Sequence, residues 1–217
     1  MSAQARPAAA GEVTPRRDEI LARAAELFAA RGYRATSLAE LAEAAGIAKP
    51  TIFHHFRSKQ DILSALYART MDLALTRMQA VARADDDDPA ATLRRMVREH
   101  ALLILDNRDV FKILFDEESE LSEPQLRAIK ERQRQYIKLL AHQLERLRAQ
   151  GRLRTPAPQI AVQGVIGMAS WVYRWYEPER TRSPEEIADI LADLALDGVV
   201  GPGPDNPNEE RTPWQTP

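Results

Sequence analysis

The chain has 217 residues, 44% of them hydrophobic, enough for one large or two small domains around a buried core. A formal net charge of −2 gives no global attraction to nucleic acid, and the absence of cysteine excludes disulfides and thiolate zinc sites. Residues 1–13, MSAQARPAAAGEV, lack the apolar core of a signal peptide, and no apolar run approaches the ~20 residues that span a bilayer. A soluble, cytoplasmic protein with no membrane partner is expected.

Residues 1–13 are Ala/Pro-rich and are expected to be disordered. Thr14-Pro15 reads as a helix start, because Thr can cap and Pro suits the first helical position. Ile20, Ala24, Leu27 and Phe28 then share one face, and Gly32 is placed to end the helix in a left-handed conformation. Ser37 with Glu40 forms a capping-box pattern for a second helix, whose inner stripe is Leu38, Leu41, Ala42 and Ala45. Gly46-Ile47 breaks the chain before a very short third helix over about 48–55. Ser58 caps a fourth, long helix that runs to about Arg83.

The aspartates of ADDDDPA read as a solvated loop, and Asp88-Pro89 opens a fifth helix reaching about Asp106. A short sixth helix covers about 109–115. SEPQ starts a seventh, with Leu126, Ile129, Tyr136, Ile137, Leu140, Leu144 and Leu147 as its apolar positions and Gly151 at its end. Thr155–Pro158 opens an eighth helix extending to about Tyr176. SPEE at Ser183–Glu186 caps the last, with Ile187, Ile190, Leu191 and Leu194 in line. No period-2 strand pattern is visible. The expected fold is all-α: a three-helix N-terminal domain over 14–60, a six-helix domain over 61–200, and a disordered Pro/Gly/Asn-rich tail over 201–217.

Three short helices with a tight glycine turn between the second and third describe a helix-turn-helix. Ile47, Ile52 and Phe56 keep one side of the third helix inward, leaving Lys49, Pro50, Thr51, Phe53, His54 and His55 outward or sideways. A helix laid in the DNA major groove, about 12 Å wide, uses such groups. Thr51 can touch a base edge or a thymine methyl, Lys49 guanine or a phosphate, and Phe53 and His54 bases or the sugar-phosphate. Lys59 at one helix start, and Thr36 and Ser37 at another, suit phosphates. Arg16, Arg17 and Arg34 add non-specific attraction. Between Thr14 and Gln60 eight Lys/Arg face five Asp/Glu, so this segment is +3 and the remainder −5. Adjacent His54 and His55 point about 100° apart on a helix and cannot close on one ion, so no metal site is expected; His100 and His142 are isolated and read as packing or surface.

The run RRDEILARAAELFAARGYRATSLAELAEAAGIAKPTIFHHFRSKQDIL, Arg16 to Leu63, resembles the N-terminal domain of the TetR/AcrR family of one-component regulators. The family usually carries tyrosine where this chain has Phe53, and that hydroxyl commonly bonds a backbone phosphate. The resemblance implies a dimer on a palindromic operator, a second domain for dimerisation and ligand sensing, and neither enzymatic activity nor a cofactor. For the dimer interface it points to the last two long helices, with Gly164, Gly167, Met168, Trp171, Ile187, Ile190, Leu191 and Leu194 as candidates. A pocket between helices needs apolar lining with few polar groups; Tyr67, Met71, Leu103, Phe111, Phe115, Tyr136, Trp171 and Trp175 have that character. The C-terminal stretch GMASWVYRWYEPERTRSPEEIADILADLALDGVV resembles members that sense acyl-CoA thioesters. Arg174 and the basic seventh helix (Lys130, Arg132, Arg134, Lys138, Arg146, Arg148) could meet such a ligand's phosphates.

The alternatives at this point are a helical interaction module that never touches DNA and a small-molecule-binding enzyme. No P-loop, G-x-G-x-x-G, H-E-x-x-H or G-x-S-x-G motif is present. The acidic pair Glu117-Glu118 reads as solvated.

Overall fold

The computed structural model describes residues 15–84, 88–155, 157–179 and 182–201. The expected N-terminal arm, most of the aspartate run and nearly all of the tail lie outside the described residues, as does the Thr14 cap. The chain divides into two compact units, one ending at Leu66 and the other beginning at Tyr67.

The first unit contains α1 (Pro15–Arg31), α2 (Leu38–Ala44), α3 (Lys49–His55) and the opening turns of α4 (Lys59–Arg83). Its core is Ile20, Leu21, Ala24, Phe28, Tyr33, Leu41, Ala42, Ile52, Phe56, Ile62 and Leu63. Phe28 meets Tyr33 edge-on, with ring centroids 5.0 Å apart. Leu27, expected on the inner face of α1, is half-buried, and Leu21 is buried instead.

The starts and stops of these helices are local chemistry. The Ser37 hydroxyl accepts from the Glu40 amide while the Glu40 carboxylate accepts from the Ser37 amide at 2.8 Å, a complete capping box. Gly46 adopts φ 61°, a left-handed conformation that costs a residue with a Cβ about 1 kcal/mol or more. There the Gly46 amide bonds the Glu43 carbonyl and the Ile47 amide bonds the Ala42 carbonyl, closing α2 and turning the chain into α3.

The second unit holds the rest of α4, then α5 (Pro89–Asp106), α6 (Arg108–Asp116), a single 3₁₀ turn at Glu118–Glu120, α7 (Glu123–Ala149), α8 (Pro158–Ser170), α9 (Val172–Trp175) and α10 (Pro184–Val199). Helix α5 is the central element, touched by α6, α7, α8, α9 and α10. It buries Leu93, Met96, Val97, Ala101, Leu103 and Ile104. The facing side of α10 carries small residues, Ala188, Ala192 and Ala195, which permit close approach. Arg94 and Arg98 lace the flank of that contact, Arg94 to Asp193 at 2.7 Å and Arg98 to Asp189 at 3.0 Å.

The nine expected helices are all present among the described residues, with one correction. The eighth does not run unbroken to Tyr176. At Trp171 the chain tightens, the Arg174 amide bonding the Trp171 carbonyl three residues back, and α8 gives way to the single turn α9. Among the described residues the only extended pairing is one isolated antiparallel bridge, Leu153 with Val200. No described helix is long and apolar enough to cross a membrane.

Candidate functional site

Helix α3 is anchored by two residues four apart. Ile52 is fully buried and Phe56 nearly so, which fixes the helix as a rigid stub. Its other side is open: Lys49, Pro50, Phe53 and His54 are exposed, and Thr51 and His55 half-buried. Phe53 leaves 53% of its surface uncovered, unusual for an aromatic with a core available. The His54 and His55 rings stand edge to face, centroids 5.4 Å apart. Among the described residues no group of three or more His, Asp or Glu could hold a metal ion.

Several residues expected around this stub are engaged elsewhere. Thr36 is a correction: its side chain is buried, 1% exposed, and its hydroxyl donates to the Gly32 carbonyl at 2.9 Å, so it braces the α1–α2 loop and faces no phosphate. Lys59 Nζ donates to the Tyr33 carbonyl at 2.6 Å and the Arg34 carbonyl at 3.1 Å and lies over the Tyr33 ring, so in this structure it clamps the same loop. Ser37 is exposed, but its hydroxyl is committed to the capping box. The Arg17 guanidinium stacks 4.9 Å from the Phe56 centroid, and Arg16 pairs with Glu19 at 2.7 Å while reaching the Gly46 carbonyl. Both arginines stiffen the α1–α3 joint while their positive charge stays at the surface.

The second unit contains a cavity of about 260 Å³. Five helices contribute: α4 with Tyr67, Met71 and Ala74, α5 with His100 and Leu103, α6 with Phe111, Leu114 and Phe115, α7 with Gln133, Tyr136 and Ile137, and α8 with Gln163, Ile166 and Ser170. No lining side chain is a carboxylate, lysine or arginine. The Tyr67 hydroxyl donates to the Leu114 carbonyl. His100, buried, contacts the Tyr136 hydroxyl through Nδ1 at 2.7 Å and the Ser170 hydroxyl through Nε2 at 2.9 Å. Burial lowers the His100 pKa to about 4, so the ring is neutral at pH 7. Burial likewise raises the Tyr67 and Tyr136 phenols, helped by Glu118 and Glu99 respectively, so both keep their protons.

Two stretches of the chain match known families. Residues 20–66 match the family described as bacterial regulatory proteins, tetR family, and residues 86–199 match the tetracyclin repressor-like C-terminal domain. The chain belongs to the TetR family. It is 27% identical over 199 residues to the HTH-type transcriptional repressor KstR2 of Mycobacterium tuberculosis, covering 89% of this chain and 98% of that protein. A TetR/AcrR regulator from Thermobifida fusca superposes with a TM-score of 0.71 at 34% identity, over 85% of this chain and 98% of that one. AibR, solved with isovaleryl coenzyme A and operator DNA, superposes with a TM-score of 0.75 at 28% identity, over 82% of this chain and 97% of that one. This TetR-family protein is a ligand-responsive, DNA-binding transcriptional regulator rather than an enzyme.

The cavity gathers Tyr67, Met71, Leu103, Phe111, Phe115 and Tyr136 from the expected pocket set. It does not include Trp171, Trp175 or Arg174. Trp171 and Trp175 lie on the surface, and Arg174 reaches Asp116 at 3.5 Å. The tightened turn at Trp171 rotates this segment away from the α8 face that lines the cavity. Sequence reasoning misses Ala74, His100, Leu114, Gln133, Ile137, Gln163, Ile166 and Ser170. His100 left one trace, a lone polar residue in the otherwise apolar stripe Met96, Val97, Leu103, Ile104 of α5. The basic residues of α7 are mostly occupied: Arg132 by Asp72, Arg134 by Glu131, Arg148 by Glu145 and Arg146 by Gln143. They do not converge on the cavity.

The interface candidates divide in the same way. Ile187 and Leu191 are corrected to core residues: α10 turns them toward the interior, where they join the cluster around α5. Ile190 and Leu194 stand exposed on the opposite side of α10. Ile160, Gly164 and Gly167 of α8, with Trp171 just past its end, form an exposed stripe at helical spacing, with Met168 half-buried beside it. A Cβ built on Gly164 or Gly167 meets nothing within 4 Å.

Proposed function

We propose that this regulator is a cytoplasmic repressor that binds a palindromic operator as a homodimer and is released by a small apolar effector, an acyl-CoA thioester among the candidates. The observation that carries the reading is α4. Its first turns, with Ile62 and Leu63 fully buried, belong to the helix-turn-helix unit, and its later residues Tyr67, Met71 and Ala74 form a wall of the apolar cavity. A ligand pressing on that wall acts on a helix the reader shares.

The exposed face of α3 would enter the major groove, Thr51, Phe53 and His54 toward base edges and Lys49, Pro50 and His55 along the backbone. Arg16 and Arg17 would strengthen the field near phosphates, and Ser37 and Lys59 would contribute through the helix starts they occupy. The apolar stripe on α8, with Ile190 and Leu194 of the touching α10, would pack on its copy as a four-helix bundle. Two readers so joined meet half-sites about 34 Å apart, or a multiple of that. A ligand favouring the mis-spaced state by roughly 1–3 kcal/mol would weaken DNA binding about 5- to 150-fold.

A mobility-shift titration on a palindromic upstream fragment tests this. Affinity should fall steeply with salt, and a panel of acyl-CoA esters should contain one that releases the DNA. Salt-independent binding would exclude the phosphate contacts. In sedimentation, Leu194→Glu should turn the dimer into a folded monomer; an unchanged sedimentation coefficient removes the interface.

A further inference from the structure

The cavity wall contains a feature that packing does not require. A buried imidazole is held at both nitrogens by hydroxyls, Tyr136 at 2.7 Å and Ser170 at 2.9 Å, and all three residues line the cavity. An apolar side chain would fill the same volume without the desolvation penalty of a polar group.

The proton count of this array is constrained. A neutral imidazole has one N–H and one bare nitrogen. In one tautomer Nδ1 accepts from the Tyr136 hydroxyl and the Nε2 proton is directed at Ser170, so the Ser170 O–H is left over as a donor. In the other, Ser170 donates to Nε2 and Nδ1–H donates to Tyr136, so the phenolic O–H is left over. Either way the array carries one hydroxyl proton more than it uses internally, at one end or the other, and no charge. The Ile166 backbone also acts as an acceptor toward the ring.

The surroundings disfavour anions. The lining holds no cation, and its other polar side chains are the neutral amides Gln133 and Gln163 and the Tyr67 hydroxyl, already donated to Leu114. The formal charges that act on the lining phenols are the carboxylates Glu99 and Glu118. Glu99 is itself paired with Arg77 at 3.3 Å. A carboxylate brought into this cavity would lose its hydration and meet no positive partner.

We propose that His100, Tyr136 and Ser170 form a neutral hydrogen-bonding array that selects an effector with an uncharged oxygen acceptor, a ketone, ester or thioester carbonyl, and rejects the matching carboxylate. The proposal rests on the cavity being the effector site. It concerns binding alone, so its test needs no DNA. The carbonyl accepts a hydrogen bond from the array's surplus O–H and thereby picks one His100 tautomer. The apolar body of the ligand fills the space bounded by Met71, Leu103, Phe111 and Phe115.

Calorimetry on the full chain at pH 7.5 decides it with two probes of one skeleton, 4-phenyl-2-butanone and 3-phenylpropanoate, which differ by a methyl in place of a carboxylate oxygen. The ketone should bind at least about 10-fold more tightly than the acid. The Tyr136→Phe/Ser170→Ala double variant should lose about 10-fold or more of ketone affinity. Should the double variant fail to fold, imidazole ¹⁵N shifts of the unmodified protein carry the same information: His100 stays neutral and the ketone drives it to a single tautomer. Equal affinity for ketone and acid, no ketone binding at millimolar concentration, an unaltered ketone affinity in the folded double variant, or unchanged His100 shifts at ketone saturation would each overturn the proposal. Failure of the regulator reading looks different: the ketone would bind as described while no ligand altered the DNA complex.

Discussion

The helix-turn-helix unit and the cavity unit bury their apolar residues by the same rules but expose function differently. In the first, the proposed DNA-reading groups sit on one helix of seven residues, held by Ile52 and Phe56 and open on its other side. In the second, the proposed ligand surface lies between helices, and five of them contribute to it. A projecting reader is a property of one segment and its two anchors. A cavity is a property of how several long helices fail to fill the space between them. Mutations should therefore act sharply and locally in the first unit, and in the second through charge, hydration and packing together.

The largest expected effect tests the anchoring idea. Phe56→Ala removes a ring that is 2% exposed and lies under the Arg17 guanidinium. It should destabilise the first unit by about 3–5 kcal/mol and abolish DNA binding, read as an early transition in a denaturant melt. A single unshifted transition would mean that α3 is held by something else.

The second effect belongs to the cavity unit. His100 has a folded pKa of about 4 against 6.5 when unfolded. Above pH 6.5 both states are neutral and the ring imposes no penalty. Between 6.5 and 4 the unfolded chain takes up a proton that the folded chain refuses, so stability falls as pH falls, by up to about 3 kcal/mol. His100→Gln should remove that part of the acid sensitivity, measured as the difference between the two proteins' stability–pH curves.

A smaller effect separates clamp from contact at Lys59. Lys59→Ala breaks two hydrogen bonds to the carbonyls of Tyr33 and Arg34 and should lower the melting free energy by about 1 kcal/mol, given the partial exposure of the side chain. If only DNA affinity changes and stability does not, the lysine is a phosphate ligand first. The smallest effect is Lys49→Ala on the exposed side of α3. It should leave stability unchanged and reduce the slope of log affinity against log salt by about 1 if the ammonium meets a phosphate, or alter preference at one base if it meets guanine.

The corrections follow the division between the units. Thr36 faces inward because its hydroxyl meets the Gly32 carbonyl, and Lys59 is held by the Tyr33 and Arg34 carbonyls of the same loop. Ile187 and Leu191 share a helix with Ile190 and Leu194, and periodicity alone made all four one stripe. Packing split them, since α10 lays one side on α5 and leaves the other bare. Trp171, Trp175 and Arg174 looked like lining by composition, yet one tightened turn carries them past the cavity.

Helix positions, caps and the outward face of α3 were written in the order of residues, because capping hydroxyls, left-handed glycines and 3.6-residue periodicity act within a few residues of one another. The cavity, its neutral His100–Tyr136–Ser170 array and the identity of the bare faces were decided by the tertiary structure. Residues 36 and 70 positions apart meet there because α5, α7 and α8 pack side by side, and no spacing along the chain encodes which of their polar groups is buried, deprived of water and left neutral.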